Sequence, residues 1–166
     1  VDGPLSAAGE ASLDAIGKRL HDRKFDLVVC SPLQRARDTA AAFTSEFEVW
    51  DHLAELDIGR WEGKPREEIF AEDGEYLREA IGGRQLPMGF DGESLDELHR
   101  RATGAIDALA ADLGEEGRAA VVTHGGFIQE VLQRHLAGRG SRVHTFAGNT
   151  SLTRLIWSFD RFHLDP

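Results

Sequence analysis

An apolar run that ends on a histidine and two glycines constrains the fold of this chain more than any other feature. The run is Val121-Val122-Thr123-His124-Gly125-Gly126-Phe127. It predicts a buried strand that delivers His124 to the edge of a sheet, followed by a tight glycine turn close to a ligand. The next residues, from Phe127 to Leu136, predict a helix whose first N–H groups face that ligand, which suits an anion. Taken alone, the segment fits a core histidine at the end of a strand equally well.

Composition and charge narrow the class of protein. The chain has 166 residues, of which 41% are hydrophobic and 29% charged, a balance typical of one globular domain. Its formal net charge of -10 argues against nucleic acid or an anionic membrane as the partner, because both attract positive surface. No run is long enough to span a membrane. A single cysteine, Cys30, excludes an internal disulfide, and we therefore expect a reducing cytoplasm.

The first third of the chain predicts helix, strand, helix and strand in that order. A stripe of apolar residues predicts a helix from Ser6 to about Arg23, with Ser6 as its N-cap. The apolar run from Phe25 to Cys30 predicts a strand, and the second helix is expected from about Pro32 to Phe47. A short strand is expected around Glu48 to Leu56.

The middle of the chain is less regular. From Asp57 to about Phe90, glycine and proline predict a lid or binding loop around one or two short helical pieces, with a plain surface insertion as the alternative. Ser94 to Glu97 forms a capping box that predicts a long helix, ending near Leu113. Further strands are expected at Arg142–Phe146 and Ser151–Phe159.

Helices that alternate with continuous apolar strands predict an α/β fold, in three α/β/α layers around a mostly parallel sheet. We expect a single domain over residues 1–166. In such sheets, ligands bind beyond the carboxyl ends of the strands. Ser31 and His124 both follow strand ends, so the residues just after them are expected to line one site.

Three polar side chains near that edge suit phosphate chemistry. Arg35 lies one turn into the helix after Ser31, and Glu55 lies in Leu53-Ala54-Glu55-Leu56. A guanidinium can grip phosphate oxygens, a neutral His124 can donate a hydrogen bond, and a protonated glutamate can supply a proton. A solvated Arg35 and a surface Glu55 are the alternatives.

Six short segments occur in an order that is specific as a set, although each alone is weak. They are Asp2–Gly9, Cys30–Ala36 with Thr39-Ala40, Glu55–Gly63, Gly92–Ser94, Val121–Gly126 and Asn149–Ser151. In these segments the chain resembles the histidine phosphatase superfamily, which has the phosphoglycerate-mutase-like fold. The resemblance covers essentially the whole chain.

The resemblance implies phosphoryl transfer through a phosphohistidine, which water then hydrolyses. It makes Arg35 a phosphate-gripping arginine, and Glu55 the proton donor to the leaving oxygen and later the base for water. His124 becomes a hydrogen-bond donor to the transferring phosphoryl group, and Gly125 supplies a backbone N–H. No metal ion or other cofactor is expected.

Three further residues are candidates for substrate binding. Ser31 follows the strand end at the same sheet edge, and Trp61 and Phe127 are candidate walls of the site. For Trp61 and Phe127, apolar packing explains the residue type at least as well.

The chain departs from the family at its nucleophile. The family's first strand ends in an Arg-His-Gly triplet that carries the nucleophilic histidine, and no such triplet occurs here. We expect the strand with this triplet upstream of Val1, because a sheet that lacks a central buried strand leaves two edges and apolar surface unpaired. A degenerate relative that has lost the nucleophile is the alternative.

The leading functional prediction is a phosphomonoesterase of the histidine acid phosphatase type, acting on a small phosphorylated metabolite. A phosphoglycerate mutase is the first alternative, although the segment between Glu55 and His124 looks short for the mutases. A non-catalytic module that binds a phosphorylated ligand is the second alternative. The state of assembly is left open, with a homodimer among the options.

Overall fold

The structure, a computed structural model, describes residues 2–136, 148–158 and 161–164. The helices and strands, in chain order, are α1 (Ala7–Leu20), β1 (Leu27–Cys30), α2 (Gln34–Ala41), β2 (Glu48–Val49), α3 (Arg66–Gly83), α4 (Leu95–Leu113), β3 (Ala119–Val122), α5 (Gly125–Leu136), β4 (Leu155–Ser158) and β5 (Arg161–Leu164). Short 3₁₀ turns occupy Asp51–Leu53, Gly59–Trp61 and Met88–Phe90. No helix in the described ranges is long and apolar enough to cross a membrane.

The chain divides into two compact units. The first, called here the insert unit, is Leu56–Arg101, and the second, called the sheet unit, is Asp2–Glu55 with Ala102–Pro166. The sheet unit holds every strand named above. The prediction of a single domain stays a prediction.

Three parallel strands in the order β2-β1-β3 form the sheet of the sheet unit. In the register of β1 and β3, Val29 lies opposite Val121 and Cys30 opposite Val122. β4 and β5 form a separate antiparallel pair. The predicted α/β class with a mostly parallel sheet is confirmed.

Helices cover the sheet on both faces because successive strand residues point to opposite sides. On one face, Val29 and Val121 pack with apolar residues of α4 and α5, among them Ile106 and Phe127. On the other face, Val122 lies with residues of α1 and α2 around a cavity. This layering is the predicted α/β/α arrangement.

The predicted caps of two helices are confirmed. The hydroxyl of Ser6 accepts a hydrogen bond from the Gly9 N–H at 3.2 Å at the start of α1. At the start of α4, the backbone N–H of Ser94 donates to Glu97 Oε2 at 2.9 Å, and the Glu97 N–H donates to Ser94 Oγ at 3.3 Å. The reciprocal pair is the capping box that the sequence predicted.

Other predicted bounds were wrong. The second helix covers only Gln34–Ala41, and the predicted strand up to Leu56 is the two-residue β2 followed by the turn at Asp51–Leu53. β4 begins only at Leu155, later than predicted. The strand predicted at Arg142–Phe146 lies outside the described residues.

The glycine-rich segment holds α3, and the prediction of one or two short helical pieces is confirmed. α3 has 18 residues and consists of two helices joined across a kink at Asp73, where φ is -124° and ψ is 19°. Asp73 accepts a hydrogen bond from Trp61 Nε1 at 2.7 Å. A helical glycine costs about 1 kcal/mol relative to alanine, but Ile69 and Ala80 of this helix pack into the core of the insert unit, and burial offsets that cost. The lid role of this segment stays a prediction.

The capping box of α4 allows a test of stability against pH. Ser94→Ala is expected to lower the free energy of unfolding by about 1 kcal/mol at neutral pH, because α4 loses its side-chain cap. The Ser94 N–H, and secondly its hydroxyl, hold the pKa of Glu97 below its ordinary value of 4.5. A lowered folded pKa stabilises the fold above the unfolded pKa, and this contribution disappears as the pH falls through the folded pKa. The difference between wild type and variant should therefore shrink in acid.

Urea unfolding over a series of pH values measures this effect. Ser12→Ala is the matched control, because the Ser12 hydroxyl donates to the Ala8 carbonyl within α1 and caps no helix end. Equal losses of unfolding free energy in the two variants would contradict the role of Ser94 as the cap of α4. A loss in Ser94→Ala that does not change with pH would contradict the contribution of Glu97.

Candidate active site

His124 lies between the end of β3 and the first residue of α5. Its carbonyl accepts the first hydrogen bond of the helix, from the Ile128 N–H at 2.9 Å. The side chain is buried, with 8% of its surface exposed, and its Nε2 lies 2.7 Å from Ser31 Oγ. Gly125 and Gly126 are the first residues of α5, so the prediction of a glycine turn before a helix at Phe127 was wrong.

Glu55 lies against the N-terminus of α5. The Gly126 N–H donates to Glu55 Oε2 at 3.3 Å, and a methyl group at position 126 would lie 2.5 Å from Glu55 Oε1. Only glycine gives the carboxylate this approach. The positive end of the helix dipole favours a negative group at this place, whether a carboxylate or a phosphate.

A hydrogen bond from the strand end fixes the segment that carries Glu55. The Thr123 hydroxyl donates to the Leu53 carbonyl at 2.8 Å, and the Leu53 side chain is fully buried. The turn before Glu55 is therefore attached to the residue before His124, which brings the carboxylate and the imidazole to the same edge of the sheet.

Arg35 lies in the first turn of α2. The start of this helix is held by Asp2, whose carboxylate accepts a hydrogen bond from the Gln34 N–H at 2.7 Å.

Cys30, the last residue of β1, is fully buried, and desolvation raises the pKa of its thiol above 9.0, while Arg37 opposes the shift. A thiol that stays protonated is a poor nucleophile, so Cys30 is a packing residue.

One cavity of about 400 Å³ brings the principal predicted residues together. Arg35, Glu55, His124 and Gly125 all line it, with Thr123 beside them. A guanidinium, a carboxylate, an imidazole and a helix N-terminus thus face one space. This combination can bind a phosphate group and exchange a proton with its ester oxygen.

The other three predicted residues lie elsewhere. Ser31 is fully buried against His124. Phe127, 1% exposed, belongs to the core of the sheet unit and lines a second, apolar cavity of about 220 Å³. Trp61 belongs to the core of the insert unit. Their role in substrate binding stays a prediction, and apolar packing accounts for both aromatic residues.

The sequence analysis assigned no role to several polar residues of the 400 Å³ cavity. Thr39 lines it, as do Asn149 and Thr150. All three residues lie in segments that carried the family resemblance, and that was the available signal. Within the described part of the chain, no group of three or more His, Cys, Asp or Glu side chains could hold a metal ion.

Comparison with known families agrees with this geometry. The sequence model of the histidine phosphatase superfamily (branch 1) matches residues 1–165. The chain belongs to this superfamily. The family resemblance and the fold class predicted from the sequence are both confirmed.

Curated relatives include mutases and phosphatases. The Yersinia enterocolitica protein named "Probable phosphoglycerate mutase GpmB" is 27% identical over 128 residues, which cover 75% of this chain and 59% of that protein. The adenosylcobalamin/alpha-ribazole phosphatase of Escherichia coli is 27% identical over 135 residues, which cover 79% of this chain and 66% of that protein. The match thus spans less than two thirds of each relative.

A solved structure confirms the fold. The alpha-ribazole phosphatase of Shigella flexneri superposes with a TM-score of 0.82 at 22% identity, over 99% of this chain and 84% of that chain. This likeness concerns the fold alone.

The close approach of Glu55 to α5 predicts different effects of alanine at two adjacent glycines. Gly125→Ala meets nothing within 4 Å, and it should stabilise by about 0.4–1 kcal/mol by restricting the unfolded chain. At position 126 the atoms nearest to an added methyl group are those of the Glu55 carboxylate, the flexible end of a side chain. Gly126→Ala should therefore push the carboxylate off the Gly126 N–H and stabilise less than Gly125→Ala, because the lost hydrogen bond is worth about 0.5–1.5 kcal/mol. Urea denaturation of the two variants measures the contrast, and equal shifts would refute the packing of Glu55 on this helix.

Proposed function

We propose that this member of the superfamily hydrolyses phosphomonoesters of small metabolites through a phosphohistidine intermediate. The observation that carries the proposal is the single cavity lined by Arg35, Glu55, His124 and the N-terminus of α5. A protein of formal net charge -10 needs local positive charge to hold a phosphate. Arg35 and the first N–H groups of α5 provide it here.

Each cavity residue has a part in the proposed reaction. The guanidinium of Arg35 and the N–H of Gly125 bind phosphoryl oxygens, and His124 donates a hydrogen bond that strengthens as charge develops in the transition state. The nucleophilic histidine attacks phosphorus while Glu55 protonates the departing ester oxygen. Water then attacks the phosphohistidine, Glu55 takes up its proton, and inorganic phosphate leaves.

We propose that the nucleophile comes from a segment preceding Val1, which adds a strand beside β3. β1 is buried, yet all four residues of β3, Ala119–Val122, are only half-buried although they are apolar. β3 pairs with β1 on one side only among the described strands. A strand edge with unpaired N–H and C=O groups favours pairing with another strand.

Cavities beside β3 support the same proposal. Ala120 and Val122 line the 400 Å³ cavity on one face of the sheet, and Ala119 and Val121 line the 220 Å³ apolar cavity on the other. Protein interiors are normally close-packed, so two cavities beside one strand fit side chains of an added strand that alternate between the faces.

Phosphoglycerate mutase activity is the second candidate, because curated relatives such as the Yersinia protein carry that name. A mutase returns the phosphoryl group to a second hydroxyl, whereas a phosphatase gives it to water. Product analysis distinguishes the two activities, because a phosphatase releases inorganic phosphate and a mutase forms an isomeric phosphate ester. A full-length protein that forms no phosphoenzyme would instead be a non-catalytic relative that binds a phosphorylated ligand.

We further propose that this protein is located in the cytoplasm.

Glu55 and His124 should respond differently to the leaving group. Glu55→Gln should slow phosphorylation by alkyl phosphates strongly and by nitrophenyl phosphate much less, because only the poor leaving group needs a proton. His124→Ala should cost about 10²–10³ in rate for both kinds of ester, because it removes a hydrogen bond to the phosphoryl group itself. Single-turnover phosphorylation over esters of graded leaving-group pKa, with a protein that includes the upstream segment, measures both.

Two results would contradict these roles. A Glu55→Gln deficit that is the same for every leaving group would exclude general-acid catalysis by Glu55. A steep dependence for His124→Ala would mean that the two roles are reversed. The phosphohistidine itself would be overturned if reactions quenched in alkali, where phosphohistidine is stable, contained no phosphoenzyme and the upstream reading frame encoded no Arg-His-Gly triplet.

Turnover should not depend on a divalent cation. Arg35 and the N–H groups of α5 can neutralise phosphate charge in place of a metal. EDTA is therefore expected to leave hydrolysis of an aryl phosphate unchanged. Loss of activity with EDTA and its recovery with magnesium would show a different mechanism.

A further inference from the structure

The hydroxyl of Ser31 joins the ends of two neighbouring strands. Ser31 follows β1, and its Oγ lies 2.7 Å from Nε2 of His124, which follows β3. The serine is fully buried and the histidine nearly so. A contact this short in a dry environment fixes both groups, and the hydrogen bond must have a defined donor and acceptor.

The partners of the serine decide the direction of that bond. The Leu33 N–H donates to Ser31 Oγ at 3.3 Å, and the Ser31 N–H donates to the Val122 carbonyl at 2.9 Å. Across residues 2–136 and the described parts beyond them, the hydroxyl has no other hydrogen-bonding neighbour than Leu33 and His124. An amide N–H cannot accept a proton, so the only acceptor for the serine O–H is His124 Nε2.

We infer that Ser31 is a positioning residue whose hydroxyl donates to Nε2 of His124 and holds the proton of the neutral imidazole on Nδ1. The hydrogen bond at one ring nitrogen sets which nitrogen is protonated. With the opposite tautomer, Nε2–H and the Leu33 N–H would both point at Ser31 Oγ, and the buried hydroxyl proton would have no acceptor. A buried donor without an acceptor is strongly disfavoured.

The tautomer has a consequence for the reaction, and this consequence rests on the proposed function. A neutral histidine donates only from its protonated nitrogen, so in the proposed reaction a hydrogen bond from His124 to a phosphoryl oxygen would come from Nδ1. Ser31 also fixes the rotation of the ring about the side-chain bonds. It therefore acts on catalysis through His124 and not by contact with substrate, which is a different role from the substrate binding predicted for it.

Nitrogen NMR of the protein that includes its upstream segment, labelled with ¹⁵N-histidine, tests the tautomer without any need for activity. The His124 signals are identified by their loss in His124→Gln and recorded at a pH where the ring is neutral. Wild type is expected to show a protonated Nδ1 and an unprotonated Nε2. Ser31→Ala should shift the ring toward a mixture of both tautomers, whereas Ser31→Thr, which keeps the hydroxyl, should restore the wild-type pattern.

Thr123→Ala is the matched control. It removes a hydroxyl next to His124 in sequence, but that hydroxyl donates to the Leu53 carbonyl and not to the ring. It should leave the tautomer unchanged, and thermal unfolding of each variant confirms that the folded protein is observed. A protonated Nε2 in wild type, or the same spectrum for wild type and Ser31→Ala, would overturn the inference. A Thr123→Ala shift equal to that of Ser31→Ala would overturn the specific role of Ser31.

Kinetics of the protein with its upstream segment separate this inference from the proposed function. Ser31→Ala should lower kcat by roughly tenfold with little change in KM, less than His124→Ala, because part of the population keeps the donor. An unchanged kcat in an active enzyme would refute the catalytic consequence of the tautomer. If NMR confirms the tautomer but the protein has no phosphatase activity, the proposed function is refuted, whereas the role of Ser31 toward His124 is not.

Discussion

The parallel pairing of β1 with β3 is the constraint on which the site depends. Its register places Cys30 opposite Val122, so that both strands end at the same level of the sheet. Ser31 and His124 then follow at one edge and meet in a buried hydrogen bond. A shift of the register by one residue would turn every side chain of β3 to the other face of the sheet and separate the two groups.

The N-terminus of α5 is shared between the protein's own carboxylate and the ligand that we propose. Glu55 accepts from the Gly126 N–H, while Gly125 and His124 line the same cavity. A carboxylate held there is close enough to an incoming phosphate ester to exchange a proton with it. The absence of a side chain at position 126 is what makes this approach sterically possible. The small size of Gly126 therefore allows Glu55 to occupy the position from which we propose that it transfers a proton.

Much of the fold could be predicted because its signals are local. The caps at Ser6 and Ser94 depend on groups three residues apart, and the apolar strands end where polar residues begin. The extent of α3 could not be predicted, because its glycines argue against a helix locally, while the packing of Ile69 and Ala80 that stabilises it comes from distant segments. The helix start at Gly125 was missed for a similar reason, since Glu55 supplies a partner for its N–H groups from far away in the chain.

The sequence by itself determined the family, the parallel α/β class and the set Arg35, Glu55 and His124, because residue type and order along the chain carry that information. Only the tertiary structure decided that these three line one cavity and that Phe127 belongs to the core. Only the tertiary structure also showed that Ser31 is buried against His124 and is not among the cavity residues. Such distinctions depend on which face of a strand or helix a side chain occupies and on what packs there, and these are long-range properties that no local pattern encodes.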